Sequence, residues 1–332
     1  MKKKTVLITL TIIIATIIVA LIMVVLFASK VHIVDSMSTE KNWNNYAENN
    51  NFIDISDTYV AQLTTLLWSS EITMRNKDGV EKVIKDASAG FQIREDSLYY
   101  RTDSDLYCFN FITEENTLVK EGVIKFCIQN NVLYAKIADA TGQALLRKDL
   151  TSGNETKITE KVYRFWIQED VLYVVPNELE KELHIYNLDG TKQKIISYPI
   201  PDLANHTLYL WNEKTADFCW PTLEMVDLST SYLSRKRLFQ NYEGPSPHTV
   251  IAASEEHFFI SFQTLKYDGS FVSDVDDPQN GLWYIESETY EQRKISDLVF
   301  DSLFMTDDYL FGTIGNDLYA VDLETFEVQE AN

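Results

Sequence analysis

From Phe52 to the end of the chain, short apolar-aromatic runs alternate with polar turns, and the alternation is itself periodic. The pattern is clearest where Leu98, Tyr99 and Tyr100 meet the turn Asp103-Ser104-Asp105 and a second run, residues 106–111, follows at once. The first run returns at Val132-Leu133-Tyr134, Val171-Leu172-Tyr173, Thr207-Leu208-Tyr209, His257-Phe258-Phe259 and Tyr309-Leu310-Phe311. The spacing of roughly 35 to 50 residues is the range of repeat architectures. The second run keeps step at 144–150, 183–188, 222–228, 281–287 and 317–323. These runs are rich in Val, Ile, Tyr, Phe and Thr. They are bounded by turn pairs such as Asp78-Gly79, Asp189-Gly190, Asp268-Gly269 and Gly315-Asn316, so each reads as a β-strand.

One unit resolves into four strands, at 123–129, 132–138, 144–150 and 155–161. Four antiparallel strands per unit describe a propeller blade, which leaves only short, protected edges when copies close into a ring. Residues 52–86 read as a degenerate first copy, with a second strand at 58–62, and the final copy spans 300–330 without borrowing a strand. The fold class expected is therefore all-β: a seven-bladed β-propeller over residues 52–332. The alternative is six blades with the first segment as a lead-in.

The opening of the chain changes this picture. Residues 1–4 are basic, and residues 5–28 form an apolar run without a single charge. As a helix, that run rises roughly 36 Å, enough to span a hydrocarbon core. It is longer than a cleavable signal's apolar region and lacks the small-residue pair of a cleavage site. Three lysines precede it and only Lys30 follows closely, which places the N-terminus inside and the rest of the chain outside. The polar, asparagine-rich segment 29–51 reads as a stalk, and the expected location is a cell membrane crossed once, with the propeller extracellular.

The composition of 50 acidic against 29 basic residues, a formal charge of −21, argues against a nucleic-acid partner. Cys108, Cys127 and Cys219 have no metal-ligand spacing, and each sits in or beside an apolar strand as a small core residue.

The pattern of an apolar-Tyr strand, a polar turn, then Leu-Tyr-x-x-x-Leu is carried by residues 105–111, 182–190 and 317–323. It resembles the bacterial extracytoplasmic β-propellers related to the low-density-lipoprotein-receptor-related YWTD type, many of unknown function. The resemblance implies a surface-displayed binding or sensing module.

Recognisable enzyme motifs are missing: the chain has no HExxH, P-loop, GxSxG elbow or glycine-rich dinucleotide turn, and its five histidines are scattered. No catalytic residue, cofactor or metal is assigned. Asp274, Asp276 and Asp277, near Asp268 and Asn280, contain the oxygens a hard cation takes, although Pro278 interrupts them and a solvated loop is the ordinary reading. A hydrolytic propeller acting on carbohydrate, or an assembly partner of another membrane protein, are the competing readings.

The repeats are interrupted at 63–70, 212–221 and 264–280, and by the Pro-rich linker 241–248. All four fall on joins that emerge on one face of a propeller, and insertions gathered on one face mark a binding face. Trp211, Trp220, Tyr242, Tyr267 and Phe271 are then expected to form the contact surface, with Asp274 and Asp276 setting its charge, toward a protein or glycan ligand.

Overall fold

The computed structural model describes residues 53–56, 58–65, 70–139, 142–168, 170–176, 182–197, 206–211, 214–219, 222–227, 235–238, 247–253, 257–268, 271–274, 277–286, 289 and 291–331. Over 206–251 and 265–274 the description is of strand backbone. The apolar run 5–28 and the stalk 29–51 lie outside the described residues. Among the described residues, no helix is long and apolar enough to cross a membrane.

Every described element is a strand, and the strands form seven antiparallel sheets. Sheet one is β1 (Ile53–Ile55), β2 (Tyr59–Thr65), β3 (Ser70–Asn76) and β4 (Glu81–Lys85). Sheet two is β5 (Ser88–Arg94), β6 (Ser97–Thr102), β7 (Asp105–Asn110) and β8 (Asn116–Lys120). Sheet three is β9 (Val123–Gln129), β10 (Val132–Asp139), β11 (Gly142–Asp149) and β12 (Glu155–Thr159). Sheet four is β13 (Arg164–Gln168), β14 (Val171–Val175), β15 (Glu182–Asn187) and β16 (Lys192–Ser197). Sheet five is β17 (His206–Trp211), β18 (Lys214–Cys219), β19 (Thr222–Asp227) and β20 (Arg235–Leu238). Sheet six is β21 (Pro247–Ala253), β22 (His257–Asp268), β23 (Phe271–Asp274), β24 (Gly281–Glu286) and β25 (Gln292–Ser296). Sheet seven is β26 (Ser302–Met305), β27 (Tyr309–Ile314), β28 (Asp317–Asp322) and β29 (Val328–Glu330). Strands pair in chain order within each sheet, except that β22 pairs β24 and carries β23 on the side.

Period-two alternation sends each strand's residues to two different neighbouring sheets. Ala61, Leu63, Ile72 and Met74 of sheet one meet Phe91, Ile93, Leu98 and Tyr100 of sheet two in one buried cluster. Leu106 joins Val123, Phe126, Ile128 and Leu133 between sheets two and three. Cys127, Tyr134 and Leu145 join Phe165, Leu172 and Val174 between sheets three and four. Phe259 and Leu282 join Leu303, Leu310 and Val321 between sheets six and seven. The last sheet closes on the first: Phe304, Phe311, Leu318 and Ala331 pack with Ile53, Ile55 and Val60. Among the described residues, sheets one to four pack face to face in succession and sheets six, seven and one do the same, the arrangement of an all-β propeller.

Three expectations are corrected. The insertion placed at 63–70 is half strand: Leu63 is buried and the β2–β3 ladder runs on to Thr65↔Ser70, while residues 66–69 lie outside the described residues. The segment 212–221 is not an insertion, because β18 lies within it, paired to β17 on one side and β19 on the other. Thr207-Leu208-Tyr209 is therefore the first strand of its sheet and not the second; an apolar-Tyr run looks the same on either strand. The insertion at 264–280 is largely a β-hairpin, with β22 continuing past its sheet to pair β23 from Leu265↔Asp274 to Asp268↔Phe271. Asp268 closes its ladder opposite Phe271, where the Asp-Gly hairpin signal of the sequence falls.

Candidate functional site

First strands of successive sheets approach one another: β1 with β5, β5 with β9, and β21 with β26. Their polar side chains are spent on holding neighbouring sheets in register. Asp54, fully buried on β1, accepts from the Ile93 N–H of sheet two through Oδ2 at 2.6 Å and from its own neighbour Ile55 N–H through Oδ1 at 3.1 Å. The Arg94 guanidinium stands 4.0 Å from the same carboxylate and donates through Nε to the Ile128 carbonyl of sheet three at 3.0 Å. Gln92 repeats the device one sheet on: its Oε1 accepts from Ile128 N–H at 2.7 Å, and its Nε2 donates to the Cys127 sulfur at 3.8 Å. Burial pushes the Cys127 thiol up to about 11, against the opposing pull of Arg94. Ser261 clasps sheets six and seven, its hydroxyl donating to Phe300 O at 3.1 Å and accepting from Phe300 N–H at 2.7 Å. Tyr134 donates to Leu188 O at 2.6 Å, and the Lys136 ammonium donates to Tyr163 O, between sheets three and four.

These groups explain why a buried carboxylate is tolerated. Among the described residues Asp54 is the one buried carboxylate, and both its oxygens take backbone N–H groups. The arrangement is a structural clasp; a pair of carboxylates facing a common substrate, as a glycosidase needs, is a different geometry. Among the described residues no group of three or more His, Cys, Asp or Glu side chains is placed to hold a metal. Cys108 and Cys127 are free thiols.

The two faces of the propeller differ. On one, the turn face, first strands turn into second and third into fourth through short joins capped by side chains. Asn76 Oδ1 accepts from Asp78 and Val80 N–H, and Asn110 Oδ1 from Ile112 and Thr113 N–H. Asp149 Oδ1 accepts from Thr151 and Ser152 N–H, and Asp322 Oδ1 from Glu324 and Thr325 N–H. The backbone bond from Ser152 holds the Asp149 carboxyl below its usual range, and that from Thr325 does the same for Asp322. The apolar residue after the cap then ties this turn to the other: Phe111, Leu150 and Leu323 N–H donate to Asp96, Asn131 and Asp308 O at 2.8 to 3.0 Å. The repeated Asx, apolar, x, Thr/Ser order at 110–113, 149–152 and 322–325 is the sequence signal for this face.

On the opposite, loop face emerge the joins between second and third strands and between sheets. Here the β22–β23 hairpin stands off its sheet. Beyond Thr264, the last β22 residue paired to β21, four more residues reach Asp268, an extension of roughly 13 Å. Cross-strand register places Leu265, Tyr267, Val272 and Asp274 on one side of the hairpin and Lys266, Asp268, Phe271 and Ser273 on the other.

The expected contact residues are thus only partly brought together. Trp211 ends β17 at the turn face, opposite Lys214, so it leaves the group. Tyr267, Phe271 and Asp274 share the hairpin, with Tyr267 and Phe271 on opposite sides of its ladder. Trp220, Tyr242 and Asp276 lie outside the described residues. Trp166 is buried and stacks on Tyr173 at 5.5 Å, and Trp283 donates its indole N–H to Gln279 O at 2.7 Å.

No family model matches the chain, and no curated relative matches it. Solved structures do. It is similar to Hsv2p of Kluyveromyces lactis (TM-score 0.52, 10% identity, covering 85% of this chain and 98% of that one). It is similar also to the N-terminal domain of Nup159 (0.50, 14%, covering 86% and 94%). A third likeness is to the acylaminoacyl peptidase of Pyrococcus horikoshii (0.51, 13%), covering 84% of this chain and 51% of that one. At such identities the likeness is one of fold, and the fold it shows is the β-propeller.

Proposed function

We propose that this protein is a binding module displayed outside the cell membrane, and that its ligand is a protein held on the loop face. The observation that carries the reading is the β22–β23 hairpin, which projects backbone beyond its own sheet on the face where the intersheet joins also emerge. Elements that leave the scaffold carry function more often than the scaffold does. The turn face offers a contrast, since its joins are short and their polar groups are consumed by their own caps. Binding is favoured over hydrolysis because the buried carboxylate Asp54 is engaged by backbone N–H groups. Two finer elements belong to the same proposal. The run 5–28 is an uncleaved, N-terminus-inside anchor, motivated by its length and lysine bias. All seven sheets are blades of one ring, supported by the packing of sheet seven on sheet one; a six-bladed ring is the alternative.

The test shortens the hairpin, replacing residues 266–273 with Asn-Gly in the full-length chain. Crosslinking on intact source cells, followed by purification, should lose the captured protein while the melting temperature stays within a few degrees of the parent. An unchanged set of captured proteins refutes the loop-face assignment. Retention of a sugar ligand on a glycan array with no captured protein moves the ligand class to glycan.

A further inference from the structure

The last strand of each sheet is its outer edge, paired on one side only. Such an edge offers unpaired N–H and C=O groups to another strand, and proteins commonly guard it with lysine or by shortness. Most outer strands here follow that rule. Antiparallel self-pairing about the middle residue would set Lys157 of β12 or Lys294 of β25 against its own copy. β16 and β20 are basic without an acid, and β29 has three residues. β8 has no acid either, and its Lys120 is held by Glu155 of sheet three at 2.9 Å.

The outer strand of sheet one departs from the rule. β4 reads Glu81-Lys82-Val83-Ile84-Lys85, with Glu81, Val83 and Lys85 exposed and Lys82 and Ile84 half-buried. Val83, at its centre, is 45% exposed. Among the described outer strands, β4 alone sets an acid and a base at equal distances either side of an exposed apolar residue. The backbone is arranged to match. Asn76 N–H donates to Val80 O at 3.2 Å, and bonded pairs alternate along an antiparallel ladder, so Lys82 and Ile84 direct their N–H and C=O groups at β3. Those of Glu81, Val83 and Lys85 point outward.

We propose that β4 pairs with the β4 of a second copy of this chain, antiparallel and centred on Val83. That register sets Val83 opposite Val83, Glu81 opposite the partner's Lys85, and Lys85 opposite the partner's Glu81. All three are bonded pairs, so the seam gains roughly six backbone hydrogen bonds. The charges continue inward, since Lys85 faces Glu71 across the β3–β4 ladder and Glu81 faces Arg75, which donates to it through Nε at 3.0 Å. Each row across the seam then runs Glu71, Lys85, the partner's Glu81, the partner's Arg75, alternating in sign over four strands, and opposite charges directly across a ladder are stabilising. On the other side of the sheet Ile84 meets the aliphatic stem of the partner's Lys82, whose ammonium is engaged by its own Glu114. Because β4 runs from turn face to loop face, the two loop faces point in opposite directions and both stay open. The inference is independent of what the loop face binds.

Val83→Cys tests the register. Residues opposite each other in a bonded antiparallel pair have Cα atoms about 5.5 Å apart, within the span of a disulfide. In the full-length chain in detergent, mild oxidation should join Val83→Cys into a reducible dimer, whereas the parent and Leu118→Cys, at an exposed position on β8, should stay largely monomeric on the same gel. Charge reversal tests the pairing. Glu81→Lys and Lys85→Glu each set like charges opposite in both symmetric rows, and each should weaken self-association in sedimentation by about tenfold. Mixed together, the two variants restore opposite charges in both rows and should associate more tightly than either alone. Both positions are exposed, so the melting temperatures should stay within a few degrees of the parent. A parent that remains monomeric up to about 100 μM, a dimer that both reversed variants keep, or one that Val83→Cys does not trap, overturns the seam.

Discussion

Replacing Asp54 with Ala removes the carboxylate that joins sheet one to sheet two. Ile93 N–H, which donates to it at 2.6 Å, is left inside the protein without an acceptor. A bond from a backbone N–H to a charged group contributes about 1.5–3 kcal/mol, and stranding the buried donor places the loss toward the upper end. The Arg94 pairing adds little, since its guanidinium is at 4.0 Å and its side chain is 25% exposed. The expected destabilisation is about 3 kcal/mol, which lowers the melting temperature of a chain this size by roughly 6–10 °C. Asp54→Asn keeps an oxygen for Ile93 N–H but loses the charge and the acceptor of Ile55 N–H, so it should cost less than Asp54→Ala, about 2 kcal/mol. Denaturant melts followed by circular dichroism measure both, and a cycle with Arg94→Met should show coupling below about 1 kcal/mol. An Asp54→Ala protein within 1 kcal/mol of the parent, or an Asn variant as damaged as the Ala variant, would refute the clasp.

The same turn position should give opposite signs in two sheets. Glu114 and Phe326 both follow four-residue caps with positive φ (61° and 62°), a strain of about 1 kcal/mol for a side chain. Glu114→Gly relieves it at the loss of one exposed ion pair to Lys82, so thermal melts should show a gain of about 0.5 kcal/mol. Phe326→Gly should instead destabilise by about 2 kcal/mol, because its ring packs on Tyr284 at 5.0 Å and under Arg293. Deleting residues 301–332 strips the partners of Ile53, Ile55 and Val60, and should abolish the cooperative melt of the whole domain; an unchanged melt sinks the closed ring. For Cys127 the folded thiol is raised from 9.0 to about 11, so its stabilisation is complete below pH 9 and is lost as pH rises toward 11. A Cys127→Ala variant should flatten that alkaline limb of the melting profile.

The strand content was legible because period-two runs and their turn pairs encode it directly. The capping turns carry a sequence signal too, since Asn110, Asp149 and Asp322 each precede an apolar residue, with Thr or Ser three positions on. What was not legible is strand index. Thr207-Leu208-Tyr209 carries the same alternation on β17 as its counterparts carry on second strands, and only pairing with β18 reveals the shift. That shift puts Trp211 at the join between first and second strands. Asp54 was missed for a related reason: its acceptor role depends on Ile93, 39 residues away, and no local pattern distinguishes it from a solvated turn acid.

Sheet seven is built entirely from its own contiguous strands, so no strand crosses the seam to sheet one. Side-chain packing joins the two sheets at the seam, where Ala331 near the chain's end and Ile53 near the start of the propeller share one cluster. Mechanical load applied through the N-terminal end would enter at β1, a strand of three register pairs. Pulling would unzip those pairs one after another, breaking the Asp54 clasp and baring Ile53 and Ile55. Sheet one is then the element that yields first under tension, and a force-extension trace from that end should begin with a small early rupture before the remaining sheets give way.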